Sequence, residues 1–288
     1  MQVQWFPGHM AKTRRIIQER LKLIDVVIEI VDARIPQSSR NPLLDNLIEK
    51  KPRVIILNKE DLADEKITKQ WLDYFNKESK YKAFKINSTV KTTNVLKDLK
   101  EALYQLTQEK REQKRAKGIK KMVIRTMVVG IPNVGKSTFI NIVVGKKAAK
   151  TGNKPGVTRG QQWIRLDEDI ELLDTPGILW PKFEDPEVGF KLAITGAISD
   201  DVFDVETAAF KLTEFLLRFY PELLAKRYKL SEEDLEKPTL EVFDQIGKKR
   251  GCLLPGNKVD YLKISTLLIN EFRAGKIGRI SLEKPEFN

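Results

Sequence analysis

The sequence predicts an α/β domain with a mostly parallel sheet, followed by a smaller domain built only of helices. Three observations carry this. Up to about residue 180, short apolar runs of strand type alternate with helical spacings, the pattern of a parallel sheet with covered faces. One of these runs, Met122–Val129, leads directly into GIPNVGKS, from Gly130 to Ser137, which is Gly-x-x-x-x-Gly-Lys-Ser. After about Pro186 strand patterns stop and helical spacings remain.

Residues Met10–Leu21 read as a short basic helix with Ile16, Ile17 and Leu21 on one stripe. Ile24–Val31 (IDVVIEIV) is a buried-strand pattern ending at Asp32-Ala33-Arg34, and Pro42–Lys50 is a helix. Arg53–Leu57 is a second strand that delivers Asn58-Lys59-Glu60-Asp61 at its end. A helix over Thr68–Phe75, a short strand over Ala83–Ile86 and a helix from Thr93 to about Gln108 complete this half. The basic run QEKREQKRAKGIKK, about 108–121, is a linker. The phosphate-loop strand follows, then a helix over Lys136–Val144. A loop over 150–160 and a hairpin, Gln162–Leu166 with Ile170–Leu173, lead into Asp174-Thr175-Pro176-Gly177. Val205–Tyr220, Thr239–Lys249 and Val259–Ala274 show helical spacing, and Gly251 and Gly275 sit just past two of these segments, as helix-ending glycines do. The expected division is an α/β domain over 1–180, a connector over 181–200 and a helical domain over 201–288.

The chain has 288 residues and a formal net charge of +12. That excess points to a polyanionic partner, nucleic acid being the commonest. A single cysteine, Cys252, excludes an internal disulfide framework, and a single histidine, His9, excludes a multi-histidine metal site. No apolar run is long enough to span a bilayer. MQVQWFPGHM reads as neither a signal nor a transit peptide, so the expected location is the cytoplasm and no membrane partner is expected.

Each motif has a chemical reason. In the phosphate loop, the backbone N–H groups of Asn133, Val134, Gly135, Lys136, Ser137 and Thr138 face the phosphates at a helix start. Lys136 adds positive charge on the β- and γ-phosphates, and the Ser137 hydroxyl ligates Mg²⁺. Asp174 is placed to hold Mg²⁺ through water, and the Gly177 N–H to meet the γ-phosphate. Thr158, in Pro155-Gly156-Val157-Thr158, is the second hydroxyl candidate for Mg²⁺. In Asn58-Lys59-Glu60-Asp61, the Asp61 carboxylate accepts two hydrogen bonds from guanine, whereas adenine lacks that donor pair. Asn58 is expected to face the other edge of the base, with the Lys59 stem along the ring. Asn87 and Ser88, thirty residues on, form the candidate loop against the guanine carbonyl.

These are the parts of a GTPase, in the order base reader, base loop, phosphate loop, switch threonine, Asp-Thr-Pro-Gly. The usual order starts at the phosphate loop, so the chain reads as a circularly permuted P-loop GTPase domain, with the basic linker as the join. It resembles the circularly permuted ribosome-assembly GTPases of the RbgA (YlqF) type, over essentially its whole length. The residues that carry the likeness are Trp5-Phe6-Pro7-Gly8-His9-Met10, Asp32-Ala33-Arg34, Asn58–Asp61, Gly130–Ser137, Pro155–Thr158 and Asp174–Gly177. The resemblance implies GTP and GDP as ligands, Mg²⁺ as cofactor, and a role in late maturation of the large ribosomal subunit. It also implies ribosomal RNA and the subunit or its precursor as partners. A monomer is expected, with slow turnover that ribosomal particles stimulate. Asn87-Ser88 departs from the Ser-Ala that many GTPases carry there.

Ile178 stands where many GTPases have a water-orienting glutamine, and an aliphatic side chain cannot do that work. Two replacements are open. His9 sits on a Pro-Gly turn that the permutation places near Gly177, and it is a candidate catalytic residue beside Lys136 and Gly177. Asn133 is a candidate K⁺ ligand in the phosphate loop. Trp180-Pro181-Lys182-Phe183 joins the switch motif almost directly to the helical domain. There Lys248, Lys249, Arg250, Arg273, Lys276 and Arg279 are candidate phosphate contacts, or simply cations at helix ends. Two other functions remain in view at this point: an RNA-binding module whose GTP orders its fold, and a GTPase serving transfer-RNA modification.

Overall fold

The computed structural model describes residues 18–48, 51–88, 94–119, 121–144, 163–173 and 185–286. His9 and the rest of Trp5–Met10, Thr158 with its loop, Asp174–Gly177, Ile178 and Trp180–Phe183 lie outside them. The chain divides into two compact units, one comprising Trp5–Pro181 and Ser281–Asn288, the other Lys182–Ile280 with Met1–Gln4.

In the first unit the elements are β1 (Val26–Asp32), α1 (Pro42–Ile48), β2 (Arg53–Asn58), α2 (Glu65–Asn76), β3 (Tyr81–Ile86), α3 (Val95–Leu106) and α4 (Gln108–Ala116). They continue with β4 (Ile124–Val129), α5 (Lys136–Val144), β5 (Trp163–Asp167) and β6 (Ile170–Leu173). The sheet order is β3-β2-β1-β4-β6-β5. All neighbours are parallel except β5, which pairs antiparallel with β6 at the edge.

Every residue of β1 is buried, and so is every residue of β2. This is why their sequences read as continuous apolar runs rather than alternating ones. Register and parity place Val31, Ile55 and Leu57 on one face, where they form a cluster with Ile67, Trp71 and Phe75 of α2. Next to it on the same face, Val27, Met127 and Val129 pack with Leu21 and Ile48. Val54, Ile56, Ile28 and Ile30 point the other way and are fully buried. On that side α3 packs against β2, β3 and α5. The order of the strands explains this: the chain steps outward from β1 to β3, then returns to β4, and right-handed crossovers put outward and return helices on opposite faces.

Several elements differ from their sequence reading. The helix expected from Thr68 begins at Glu65, because the Asp64 side chain accepts the Ile67 N–H at 3.0 Å and caps it. The helix expected over Thr93–Gln108 stops at Leu106. The Thr107 hydroxyl donates back to the Leu103 carbonyl at 2.7 Å, and α4 starts afresh at Gln108. The basic linker is therefore mostly a helix, one that buries none of its residues.

The segment from Ser281 onward was expected to close the helical domain; it is grouped instead with the sheet unit. The Leu282 N–H donates to the Arg34 carbonyl at 2.8 Å, and the Ser281 hydroxyl accepts the Asp64 N–H at 3.1 Å. The Glu283 carboxylate accepts the Ser38 N–H (3.0 Å), the Ser38 hydroxyl (2.7 Å) and the Gln37 N–H, while the Glu283 carbonyl accepts Trp71 Nε1–H at 3.2 Å. Glu283→Ala strands three donors at once. Its expected effect is a loss of about 1.5–3 kcal/mol in stability, read from urea denaturation of the whole chain.

The second unit holds α6 (Pro186–Ile194), α7 (Val205–Phe219), α8 (Pro221–Tyr228), α9 (Glu232–Leu235), α10 (Thr239–Lys249) and α11 (Tyr261–Arg273). The expected connector thus contains α6, which Asp185 caps and Pro186 opens. Helix α7 is central, packing against α6, α8, α10 and α11. A short hairpin, β7 (Leu253–Leu254) with β8 (Lys258–Val259), interrupts the helices where none was expected; Gly256 and Asn257 both take positive φ to turn it. Gly251 and Gly275 do end helices. In each case the glycine is left-handed, and the next N–H reaches five residues back: Cys252 to Gly247 and Lys276 to Glu271, each at 2.9 Å.

Candidate functional site

Because β1 to β4 are parallel, their C-terminal ends lie along one edge of the sheet, where open α/β sheets bind ligands. The register sets Asp32 beside Asn58, and Asn58 beside Ile86. The Asp32-Ala33-Arg34 turn, the base reader and the Asn87-Ser88 loop are therefore neighbours before any side chain is considered. The phosphate loop leaves β4 on the same edge.

One side chain ties three of these segments together. Asn58, nearly fully buried, donates from Nδ2 to the Val134 carbonyl of the phosphate loop at 2.7 Å and accepts the Ser88 hydroxyl on Oδ1 at 2.6 Å. The expectation for Asn58 was contact with the base edge. In the structure these two bonds make it a brace between phosphate loop and base loop. The expectation for Ser88 is a backbone contact with the guanine carbonyl, and its hydroxyl, through Asn58, fixes the loop that would make it.

The phosphate loop has the backbone that its glycines allow. Gly130, Asn133 and Gly135 all have positive φ. A Cβ at Gly130 would lie 2.6 Å from the Ile30 carbonyl oxygen, and one at Gly135 would lie 2.2 Å from Asn58 Nδ2. The first backbone bond of α5 runs from the Phe139 N–H to the Gly135 carbonyl at 2.9 Å. The first-turn N–H groups have no acceptor within the helix, as at any helix N-terminus, and the macrodipole makes that end a site for an anion. Lys136 is buried and donates from Nζ to the Ile131 carbonyl at 2.7 Å, so its ammonium is held at the loop. Ser137, Thr138 and Asn133 are exposed at the loop surface, and Val134 is buried.

Lys59 is left-handed, with φ of 60°, and starts the short 3₁₀ turn Glu60–Leu62 that carries Asp61. Asp61 is exposed. The Lys59 ammonium lies 3.0 Å from the Asp32 carboxylate, which also receives the Arg34 guanidinium from Nε at 2.9 Å and Nη2 at 2.7 Å. Burial opposes ionisation of Asp32. The charges of Arg34 and Lys59, and the hydrogen bonds from both, overcome it and hold the carboxyl well below the usual carboxylate range. The sequence reading marked this turn without giving it a physical role; the signal it lacked was the strand register that sets Asp32 next to Asn58.

A family model described as 50S ribosome-binding GTPase matches residues 125–238. Ribosome biogenesis GTPase A of Bacillus cereus is 52% identical over 286 residues, which cover 99% of this chain and 95% of that protein. The chain belongs to the ribosome biogenesis GTPase A family. Ribosome biogenesis GTPase A of Thermotoga maritima is 32% identical over 284 residues, covering 99% of this chain and 95% of that protein. A GDP-bound YlqF structure superposes with a TM-score of 0.68 at 28% identity, covering 95% of this chain and all of that one. The GNP-bound YlqF of T. maritima gives 0.66 at 28% identity, covering 96% of this chain and all of that one. GTP binding and hydrolysis follow from membership of a ribosome biogenesis GTPase family. The matched segment begins at residue 125, after Asn58–Asp61, as the permuted order requires.

Several of the candidate phosphate contacts in the helical unit already have protein partners. Arg273 donates to the carbonyls of Ile194 (3.1 Å) and Ala193 (2.7 Å) and pairs with Asp200, so it ends α6 rather than offering itself to a polyanion. Arg250, with Arg227, pairs with the buried Glu271, and Lys249 donates to the Lys229 carbonyl at 2.5 Å. Lys248, Lys276 and Arg279 are exposed. No helix among the described residues is long and apolar enough to cross a membrane.

Proposed function

We propose that the chain is a GTP-hydrolysing factor for late maturation of the large ribosomal subunit. It binds the maturing particle, through ribosomal RNA, in its GTP form and leaves after hydrolysis. The observation that carries this is Asn58: a base reader placed before the phosphate loop in sequence is braced to it in space, within a family of ribosome biogenesis GTPases. The exposed lysines and Arg279 of the helical unit, and the unburied basic face of α4, supply charge for ribosomal RNA. A monomer in the cytoplasm fits this role.

In this reading Asp61 accepts the guanine donors, Lys59 lies along the ring, and Asn87 with Ser88 closes the base edge. The N–H groups from Asn133 to Thr138, with Gly177, meet the phosphates, and Lys136 moves from the Ile131 carbonyl to the β- and γ-phosphates. Ser137, Thr158 and Asp174 offer the hard oxygen donors that Mg²⁺ takes, and Ser137 stands exposed at the helix start. Bound Mg²⁺ neutralises charge on the phosphate oxygens. With Ile178 in place of a glutamine, His9 would orient the attacking water, or Asn133 would help hold a K⁺ ion that supplies positive charge beside the phosphates.

The test is GTP turnover with purified large subunits, with bulk transfer RNA, or with neither. Subunits should stimulate turnover more than about tenfold and transfer RNA should not. Equal rates in all three conditions would sink the proposal. In the same assay, replacing K⁺ by Na⁺ and replacing His9 by alanine separate the two devices: whichever is in use lowers turnover while GTP affinity holds.

A further inference from the structure

The Asp32-Ala33-Arg34 turn lies against the base reader at three points. The Ala33 N–H donates to the Asn58 carbonyl at 2.8 Å, Asp32 is paired in register with Asn58, and the Asp32 carboxylate lies 3.0 Å from the Lys59 ammonium. Lysine carries four rotatable side-chain bonds, so a lysine that must lie flat along a ring loses much rotamer freedom unless something already holds its head. Here the anchor is buried and itself held. The Asp32 side chain is 3% exposed and that of Lys59 25%, so part of the lysine side chain stays accessible while its ammonium is held.

From this geometry we infer that Asp32 is a positioning residue for guanine recognition: its carboxylate holds the Lys59 ammonium so that the lysine stem is set for the base before nucleotide arrives. Arg34 supplies the second positive charge. One buried carboxylate facing Lys59 alone would be poorly compensated; with the two-point Arg34 contact it is held in one orientation. Two further bonds fix the turn, from the Arg34 N–H to Asp32 Oδ1 and from the Asp32 N–H to the Ser39 hydroxyl, each 3.1 Å. The inference rests on the reading of Asn58–Asp61 as the base reader.

The experiment measures binding of a fluorescent methylanthraniloyl GDP, and KM and kcat for GTP, on the full chain. Asp32→Asn keeps an oxygen for the Arg34 N–H but loses the charge on Lys59. It should raise Kd and KM about tenfold and leave kcat within about twofold, because the phosphate loop is untouched. A purely structural role would lower the active fraction and kcat instead. Lys59→Met should match this loss, and adding Asp32→Asn to it should cost nothing more. If Lys59→Met binds as wild type, the base-reader reading itself fails. If it weakens binding but the two substitutions add in full, Asp32 does not act through Lys59 and the inference is overturned. Should Asp32→Asn not fold, Asp32→Asn with Arg34→Gln removes the buried pair together. A folded double variant with wild-type Kd would overturn the inference equally.

Discussion

Asp61→Asn is expected to exchange guanine for xanthine as the preferred base. A carboxylate only accepts hydrogen bonds, and guanine offers it two donors, the ring N–H and the exocyclic amine. An asparagine amide presents one acceptor and one donor, which leaves the guanine amine facing an N–H. Xanthine has a carbonyl oxygen at that place and pairs with both. Losing a paired polar contact inside a site discriminates strongly, and the expected fall in GDP affinity is about 10³-fold or more, with a gain for xanthosine diphosphate. Competition against the fluorescent GDP analogue reads both. Thermal unfolding should be unchanged, because Asp61 is exposed in the middle of the short turn Glu60–Leu62. Unaltered GDP affinity would remove Asp61 from the site.

Gly135→Ala is expected to abolish most turnover by a different route. Its added methyl group would lie 2.2 Å from Asn58 Nδ2, at a φ of +99° that side chains rarely adopt. Either the phosphate loop moves or Asn58 does, and the bond from Asn58 to Val134 is lost in both cases. Base loop and phosphate loop are then no longer held to each other. The expected loss is about 10²-fold or more in kcat/KM, since misplacement by an ångström costs that much in an oriented site. Gly118→Ala is the control: φ is +79° but nothing lies within 4 Å. It should cost roughly 1 kcal/mol of stability and leave turnover alone.

How much of this was legible beforehand depended on whether the controlling interaction was local. The start of the helix at Lys136 was read to the residue, because the phosphate-loop signature fixes it. The strands of the large sheet came within one or two residues of their described ends, and in β1 and β2 burial on both faces writes itself as apolar runs. The start of α2 was missed by three residues because the cap at Asp64 looks like any polar residue before a helix. The break at Thr107 was missed because its cause is one hydroxyl turning back on the preceding turn.

The site divides in the same way. The motifs announced themselves by spacing, but their connections run across the sheet. Asn58 meets Val134 seventy-six residues away, and Glu283 meets Ser38 at a separation of 245. No periodicity encodes such contacts. Arg273 illustrates the converse: composition marked it as available charge, and the fold spends it on the end of α6. His9, Thr158, Asp174 and Gly177, expected to complete the site, lie outside the described residues.

In the proposed function, one guanine-nucleotide site is assembled from segments on both sides of the permutation. The most direct measurement is competition of GTP, GDP and ATP against the fluorescent GDP analogue on the unmodified chain, with stoichiometry taken from the same titration. The expected result is one nucleotide per chain, displaced by GTP and GDP at concentrations at least about 10³-fold below those needed with ATP. Displacement by ATP within about tenfold of GTP would contradict it, for it would leave a phosphate loop working without the base reader that Asn58 ties to it.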